Sequence, residues 1–387
     1  MGEVGDTPRA RLRVSLDATP LLGVRTGVGV FCQWALACLA RRPDLDVSAF
    51  AVSWRRRRGI RPHLPDGVRA VDRPMPARPL HRAWSASSLP PVEWWTGPVE
   101  VVHGTNFVVP PSRRAARVMT VHDLTSVRFP ELCDDYTRNF PRLVRRALAE
   151  GAWVHTPSRF VAGEVVELLG ADPGRVRAVH HGIPAVAGGG PPAPAELEAI
   201  GLPAPALARY VLALGTVEPR KGLPDLVRAF DQAAGADPRL WLVIAGPDGW
   251  GAAQLEEALR AARHRGRVAR VGYVTATQRS ALLRGATVYA YPSLYEGFGF
   301  PPLEAMVAGV PVVSTRAGAL PEVVGEAAVL VEVGDVDGLA EALLRFAGDD
   351  AARAEAAERG RAHTSTFSWD ATGEGLASLY RDAVAAR

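Results

Sequence analysis

The chain reads as an α/β protein of two doubly wound domains, on three observations. β-Branched and apolar runs alternate with amphipathic helical stretches, the pattern of a parallel sheet with helical crossovers. Its 387 residues exceed what one ordinary core organises. A stretch rich in proline, glycine and alanine, Pro184 to Pro205, divides the sequence near its middle. The domains are therefore placed at residues 1–185 and 206–369, with 186–205 as linker holding one short helical turn at Glu196 to Ile200.

Composition sets the class. The sequence is 48% hydrophobic and 22% charged, an ordinary soluble balance. A net charge of +4 suits small anionic substrates or a membrane surface as readily as nucleic acid. Nearly all the cations are arginine, and Lys221 is the single lysine. Cys32, Cys38 and Cys133 lack metal-site spacing and suit a reducing compartment. The N-terminus shows no apolar leader, and the longest apolar stretch, Gly27 to Ala40, is too short to span a bilayer. A cytoplasmic location is expected.

In the first domain Leu12 to Leu16 reads as a strand ending at Asp17. The following loop carries Gly23, Arg25, Thr26 and Gly27, and Val28 to Leu39 reads as a helix. Open amides and a helix dipole there suit a phosphate, although many such turns carry glycine for tightness alone. Val47 to Val52 is a second strand, followed by Trp54 and the run Arg55 to Arg58. The simpler reading of the run is a solvated loop. The sharper one is contact with anionic lipid or an acidic acceptor, with Trp54 as an interfacial aromatic. Residues 73–97 yield no assignment, and Trp84, Trp94 and Trp95 read as packing beneath a loop ahead of lining an acceptor groove.

Glu100 to His103 and Val118 to His122 read as buried strands, each ending in histidine, with His103 an ordinary hydrogen-bonded residue. Tyr136 to Glu150 reads as a helix with Arg138, Arg142, Arg145 and Arg146 on its polar face. Trp153 to Thr156 is a further strand. Ser158 caps a helix to Leu169, with Glu164 as an acidic residue near its start. Val176 to His180 closes the domain.

The second domain repeats the rhythm. Strands are read at Tyr210 to Leu214, Trp241 to Ala245 and Val268 to Val271, and helices at Pro224 to Gln232, Ala252 to Ala262 and Thr277 to Leu283. A strand at Ala327 to Val333, a helix capped by Asp335 and a last amphipathic helix from Phe367 follow. Its organising stretch runs from Thr287 to Glu322. Thr287 to Tyr291 reads as a buried strand, and Tyr295-Glu296-Gly297-Phe298-Gly299-Phe300 as a glycine loop. Pro301 and Pro302 open a helix, where a missing N–H costs nothing. Gly309 ends that helix before a strand at Val310 to Ser314.

Glu296 in the loop and Glu304 in the first turn thus stand at the carboxyl end of a parallel strand, where open α/β sheets bind ligands. The plain alternative for Glu304 is a helix-start carboxylate, yet the residues in capping position, Phe300 or Pro301, offer no capping oxygen. A second loop, Gly215-Thr216-Val217-Glu218-Pro219-Arg220-Lys221-Gly222, places two cations at a helix start, which suits a diphosphate. Surface charge is the alternative. The one lysine of an arginine-rich chain falls in this loop, which points to a role for a compact ammonium.

The segments E-G-F-G-F-P-P-L-E-A-M from Glu296, G-V-P-V-V from Gly309, L-P-E at Leu320 and E-P-R-K-G from Glu218 resemble a known signature. It is the Glu-x7-Glu pattern of the retaining glycosyltransferases of family 4, group 1, which include many bacterial mannosyl- and glucosyltransferases. The resemblance implies a GT-B fold, two Rossmann-like domains facing a cleft, with residues 370–387 returning to the first. It implies that Glu304 binds the ribose, that Glu296 holds the donor sugar, and that Arg220, Lys221 and the amides of Phe298 to Phe300 stabilise the leaving group. Gly297, Phe298, Gly299, Phe300, Gly215, Gly27 and Gly29 fall with the donor. His122, in T-V-H-D-L, falls at the sugar end, its ring or its carbonyl toward the anomeric carbon. The resemblance is strongest from Tyr210 to Glu322 and only general before Val118.

The implied reaction moves a hexose, first of all mannose from GDP-mannose, to a hydroxyl of a glycan or glycolipid with retained configuration. A UDP- or ADP-sugar donor is the alternative within the class. Asp44-Leu45-Asp46 starts a strand and Asp335-Val336-Asp337 starts a helix, so neither reads as a metal site. Metal-independent transfer without a cofactor is expected, the nucleotide-sugar being a substrate. Donor and acceptor are the expected partners, with no nucleic acid; peripheral contact with the inner membrane face stays open. The rivals are a nucleotide-sugar epimerase and a non-catalytic partner subunit, and the subunit would be expected to have lost Glu296, Arg220 or Lys221. A nicotinamide enzyme would need a G-x-G-x-x-G after a strand, which is missing.

Overall fold

Short apolar runs joined by helices leave the backbone one simple solution, a parallel sheet buried on both faces. The computed structural model describes residues 11–23, 26–133 and 137–387. It falls into two compact units, one of residues through Gly182 with Ser368–Arg387, the other of Ile183–Phe367. Each is described by itself.

The first unit holds strands β1 (Leu12–Asp17), β2 (Leu45–Phe50), β3 (Arg69–Val71), β4 (Val101–Gly104), β5 (Ala116–Thr120), β6 (Trp153–Thr156) and β7 (Val176–Ala178). They form one parallel sheet in the order β3-β2-β1-β4-β5-β6-β7. The order reverses between β1 and β4, the switch point at which doubly wound sheets open a crevice. Ser158 caps the helix Arg159–Leu169 as expected, its hydroxyl accepting from the Val161 amide at 3.2 Å.

Several expectations shift. β5 ends at Thr120, so His122 stands two residues beyond the strand. Glu164 lies well inside its helix, buried, with Arg128 at 2.8 Å, and gives the helix start no acidic residue. Residues 73–97 contain the helix Ala77–Ala86 and a turn of helix at Glu93–Thr96. There Trp84 packs in the core and Trp95 against it, each indole donating to a proline carbonyl, but Trp94 is 61% exposed. The helix expected from Tyr136 is observed as Phe140–Ala149; Tyr136 itself lies outside the described residues.

The C-terminal helix Trp369–Ala385 packs on this unit, against the helix Gly27–Ala40 and on β5. Its apolar stripe buries Leu376, Leu379 and Tyr380 completely or nearly so, each worth roughly 1.5–3 kcal/mol of transfer free energy. A buried chain of hydrogen bonds starts there. The Tyr380 hydroxyl lies 2.7 Å from Nδ1 of His103, and Nε2 of His103 lies 2.8 Å from Oγ1 of Thr120. That oxygen is 2.9 Å from Nδ1 of His155, whose Nε2 is 3.1 Å from the Val179 carbonyl. A carbonyl only accepts, so His155 donates from Nε2, and the direction of every earlier bond follows. Tyr380 donates, Val179 receives, and both imidazoles are neutral with no polar atom left over.

The second unit holds β8 (Tyr210–Leu214), β9 (Trp241–Ala245), β10 (Val268–Gly272), β11 (Val288–Tyr291), β12 (Val312–Thr315) and β13 (Val329–Val331). Its parallel sheet has the order β10-β9-β8-β11-β12-β13, with the switch between β8 and β11. Residues 186–205 belong to this unit and are not a free linker. Leu197 is buried, the Ala187 amide donates to Ser280 Oγ at 3.2 Å, and Arg284 donates to the Gly190 carbonyl at 2.8 Å. After Val336–Gly348, Asp349 caps a separate helix, Asp350–Thr364, that the sequence reading did not distinguish. Among the described residues no helix is long and apolar enough to cross a membrane.

Two measurements check the histidine chain. Tyr380→Phe leaves Nδ1 of His103 buried without its donor, and should cost about 1–3 kcal/mol in urea unfolding at unchanged slope. Burial holds His103, His155 and His181 below their ordinary 6.5, His155 at about 3. They take up protons on unfolding, so their contribution is whole above pH about 6.5 and is lost as the pH falls toward the folded values, by about 1.4 kcal/mol per pH unit per histidine. Urea midpoints measured from pH 7 down to 4 should fall steeply, and a flat profile would contradict the neutral chain.

Candidate functional site

Two loops meet at the switch point of the second sheet, one after β8 and one after β11. Gly222 ends the first loop at φ +61°, and a Cβ there would lie 2.1 Å from the Pro292 carbonyl oxygen. Only glycine lets the loops close so tightly. The Leu294 amide then donates to the Arg220 carbonyl at 2.7 Å, tying the two loops backbone to backbone.

Glu296 is the centre of the contact. Lys221 Nζ lies 2.6 Å from its Oε1, Arg220 Nη1 2.9 Å, and the Tyr291 hydroxyl donates to the same oxygen at 2.9 Å. Lys221 also donates to the Tyr291 oxygen at 2.8 Å, with its ammonium 4.7 Å from the ring centroid. Arg220 in turn donates to Glu218 at 2.8 Å. These three contacts converge on Oε1. From behind, Gly318 presses on the Glu296 backbone, where a Cβ would lie 2.3 Å from its carbonyl oxygen.

Charge follows from this packing. Burial alone would raise the Glu296 carboxyl, but Arg220 and Lys221 overcome it and bring it down to about 2. Burial lowers Lys221, with Glu296 pulling it back upward, and raises the Tyr291 phenol well above its ordinary value. Glu296 is therefore a permanent carboxylate. It can accept hydroxyl hydrogen bonds but has no proton to give as a general acid.

The expected role of Arg220 and Lys221 as cations aimed at a phosphate gains a qualification. Both are paired with Glu296 here, and with Glu218 the cluster is electrically balanced. The sequence reading assigned Tyr291 and Glu218 no role of their own, Tyr291 because it ends an apolar run and reads as core.

Glu304 sits on the helix Phe300–Val307, past its first turn and not in it. The cap is Gly299, at φ +113°, in place of Phe300 or Pro301. Glu304 is buried and meets the guanidinium of Arg279, from the helix Ala276–Gly285. Burial raises its carboxyl, and Arg279 works against that. Nothing in the sequence singled out Arg279 among so many arginines. Phe298 is buried with its ring edge-on to Phe300 at 5.3 Å, so these residues wall the loop as well as carry its amides. Gly215, at φ +141°, follows β8 and starts the loop, its amide donating to the Ala245 carbonyl at 3.0 Å.

In the first unit His122 donates from Nε2 to the Thr105 carbonyl at 2.9 Å, with Phe31 edge-on at 5.3 Å. The neutral ring then presents Nδ1 as an acceptor. Burial keeps His122 below its ordinary value despite Thr105 and Asp123. Thr105 Oγ1 also donates to the Asp17 carbonyl at 2.5 Å, so the ends of β1, β4 and β5 are linked. Burial pushes the Asp17 carboxyl up to about 6, with the Thr19 hydroxyl and amide, both on Oδ1, pulling back. Gly27 and Gly29 lie in the first turn of the helix Gly27–Ala40 and not in the loop, with Gly29 buried; Arg25 is outside the described residues. Among the described residues no three His, Cys, Asp or Glu side chains group as a cation site.

Known proteins resemble this chain along most of its length. The model of the glycosyl transferases group 1 matches residues 202–363, and that of glycosyltransferase family 4 matches residues 26–185. An O-antigen chain mannosyltransferase B from Escherichia coli is 33% identical over 280 residues, 70% of this chain and 71% of its own length. A D-inositol 3-phosphate glycosyltransferase from Acidothermus cellulolyticus is 29% identical over 419 residues, 98% of this chain and 92% of its own. Among solved structures, Anabaena HepE in complex with UDP and glucose aligns with a TM-score of 0.70 at 17% identity, covering 95% of this chain and 98% of that one. WaaG, a glycosyltransferase involved in lipopolysaccharide biosynthesis, aligns with a TM-score of 0.70 at 17% identity, covering 95% and 99%. The likeness in fold is to GT-B structures.

The cluster can be tested without a substrate. Glu296→Gln leaves two buried cations facing a neutral amide and should cost about 3–5 kcal/mol of stability. Urea unfolding of the variant should show it, and an unshifted midpoint would mean the ion pairs are open to water.

Proposed function

The chain belongs to the group 1, family 4 glycosyltransferases, and from that premise we propose that it transfers mannose from GDP-mannose. The receiving group is a hydroxyl of a glycan or glycolipid, the anomeric configuration is retained, and neither metal nor other cofactor is used. The observation that carries the reading is Glu296, a permanently charged carboxylate fixed through one oxygen by Lys221, Arg220 and Tyr291.

Its second oxygen accepts the donor sugar's hydroxyls, and Glu304 accepts those of the ribose. As the bond from C1 to the phosphate oxygen breaks, negative charge grows on the diphosphate. Arg220 and Lys221 meet it with little reorganisation because Glu296 already holds them in place. The acceptor oxygen bonds C1 on the face the diphosphate leaves, and its proton passes to the departing phosphate oxygen. Oε1 of Glu296 is held by Lys221, Arg220 and Tyr291, which supports a binding role and a route without a covalent glycosyl-enzyme. His122 offers Nδ1 to the donor sugar.

Mannose rests on the likeness to the Escherichia coli mannosyltransferase. The protein works in the cytoplasm, at the inner face of the membrane when its acceptor is a glycolipid, and has no nucleic-acid partner.

Calorimetric titration with GDP, UDP and ADP in EDTA tests the donor side. GDP should bind wild type without metal, and Lys221→Ala should weaken it about ten- to a hundredfold, the loss of one charge-assisted contact. Binding of UDP in place of GDP would move the donor to a UDP-sugar, and no nucleotide binding would overturn the reading. With a competent acceptor, Glu296→Gln should lower kcat about 10²–10³-fold.

A further inference from the structure

The arginine run after β2 is not scattered into solvent. Residues 51–98 hold nine arginines against Asp66, Asp72 and Glu93, a formal +6 where the whole chain carries +4. The acids are mostly occupied. Asp72 pairs with Arg61, and Glu93 accepts from Ser112 Oγ and from the Arg113 and Arg114 amides. Arg55, Arg56, Arg58 and Arg73 are exposed. Net charge of one sign is thus concentrated in one stretch of the first unit.

Two tryptophans lie in the same patch. Trp54 is 58% and Trp94 61% exposed, and with Leu89 they are the exposed large apolar side chains among the described residues of the first unit. They are held together through backbone. Arg57 donates to the Asp72 carbonyl at 2.7 Å and also to the Trp54 carbonyl. Arg73, the next residue along, donates to the Trp94 carbonyl at 2.6 Å. The Met75 amide closes the set on the Ser53 carbonyl at 3.2 Å. Trp84 and Trp95, from the same stretch, are turned into the fold and have partners for their indole nitrogens. The outward pair is therefore a choice made within one segment.

The patch follows β2 and β3, at the carboxyl edge of the sheet, the edge that also carries Asp17 at the end of β1 and His122 after β5. An exposed tryptophan gains from the headgroup region, where its apolar body and polar N–H both find suitable surroundings. Arginines beside it gain from anionic headgroups. A duplex nucleic acid or an acidic protein would account for the charge and leave two solvent-facing indoles unexplained.

We propose that Trp54 and Trp94, framed by Arg55, Arg56, Arg58 and Arg73, dock the first unit on an anionic lipid bilayer. Given the proposed function, this brings the acceptor-side edge of the sheet to a lipid-borne acceptor. The docking itself needs no donor.

Co-sedimentation of the whole protein with vesicles tests it, using phosphatidylglycerol mixed with phosphatidylcholine against phosphatidylcholine alone. Binding should occur on the anionic vesicles, weaken with added salt, and fall about tenfold or more for Trp54→Ala with Trp94→Ala. Replacing Arg55, Arg56 and Arg58 by serine should weaken it by about fivefold per arginine. Arg57 is left in place because it holds the patch together. No binding to anionic vesicles overturns the proposal. Vesicle binding that ignores the tryptophans and is matched by heparin overturns it in favour of a polyanion surface. Circular dichroism and GDP, UDP and ADP binding by the same variants should stay as in wild type. A failure of docking is thereby separated from misfolding and from a failure of the donor reading.

Discussion

Burying a carboxylate is costly unless its charge is met, and the second unit is arranged around meeting the charge of Glu296. A loop far away in sequence brings Lys221 and Arg220, and the end of β11 brings Tyr291, to one of its oxygens. Gly222 and Gly318 allow the approach, because a side chain at either would collide with backbone. The strand order makes the meeting possible at all. β8 and β11 are neighbours at the switch point, so the loops leaving their carboxyl ends have no helix between them. The same constraint keeps Glu296 ionised.

The first unit solves the equivalent problem without charge. His103 and His155 are fully buried, and their chain of bonds from Tyr380 to Val179 is complete only when both rings are neutral. The C-terminal helix contributes the first donor, so its docking and the protonation of the histidines are one equilibrium. The first unit is thus tied to the state of its imidazoles and the second to opposite charges. Each follows from which groups the strand ends bring together.

The rhythm of strands and helices was legible because buried parallel strands need apolar runs and crossovers need amphipathic helices. Legibility failed where a residue's environment depends on distant chain. Glu164 looked like a helix-start acid and proved to be buried against Arg128. Trp94 read as packing and faces solvent, while its neighbour Trp95 packs against the core. Residues 186–205 had the composition of a linker, yet Leu197 and the bonds to Ser280 and Arg284 fasten them to the second unit. Local pattern carries no information about such partners.

By itself the sequence determined the class of fold and, in two loops of the second domain, the presence and spacing of one lysine, one arginine and two glutamates. These are local facts of residue type and spacing, and local backbone preferences act on them directly. The tertiary structure decided which atoms meet. It chose Oε1 of Glu296 as the common target, recruited Tyr291 and Arg279, and turned two tryptophans of one segment outward while burying two others. Those outcomes depend on strand order and on loop approaches of a few ångströms, which no single stretch of chain encodes.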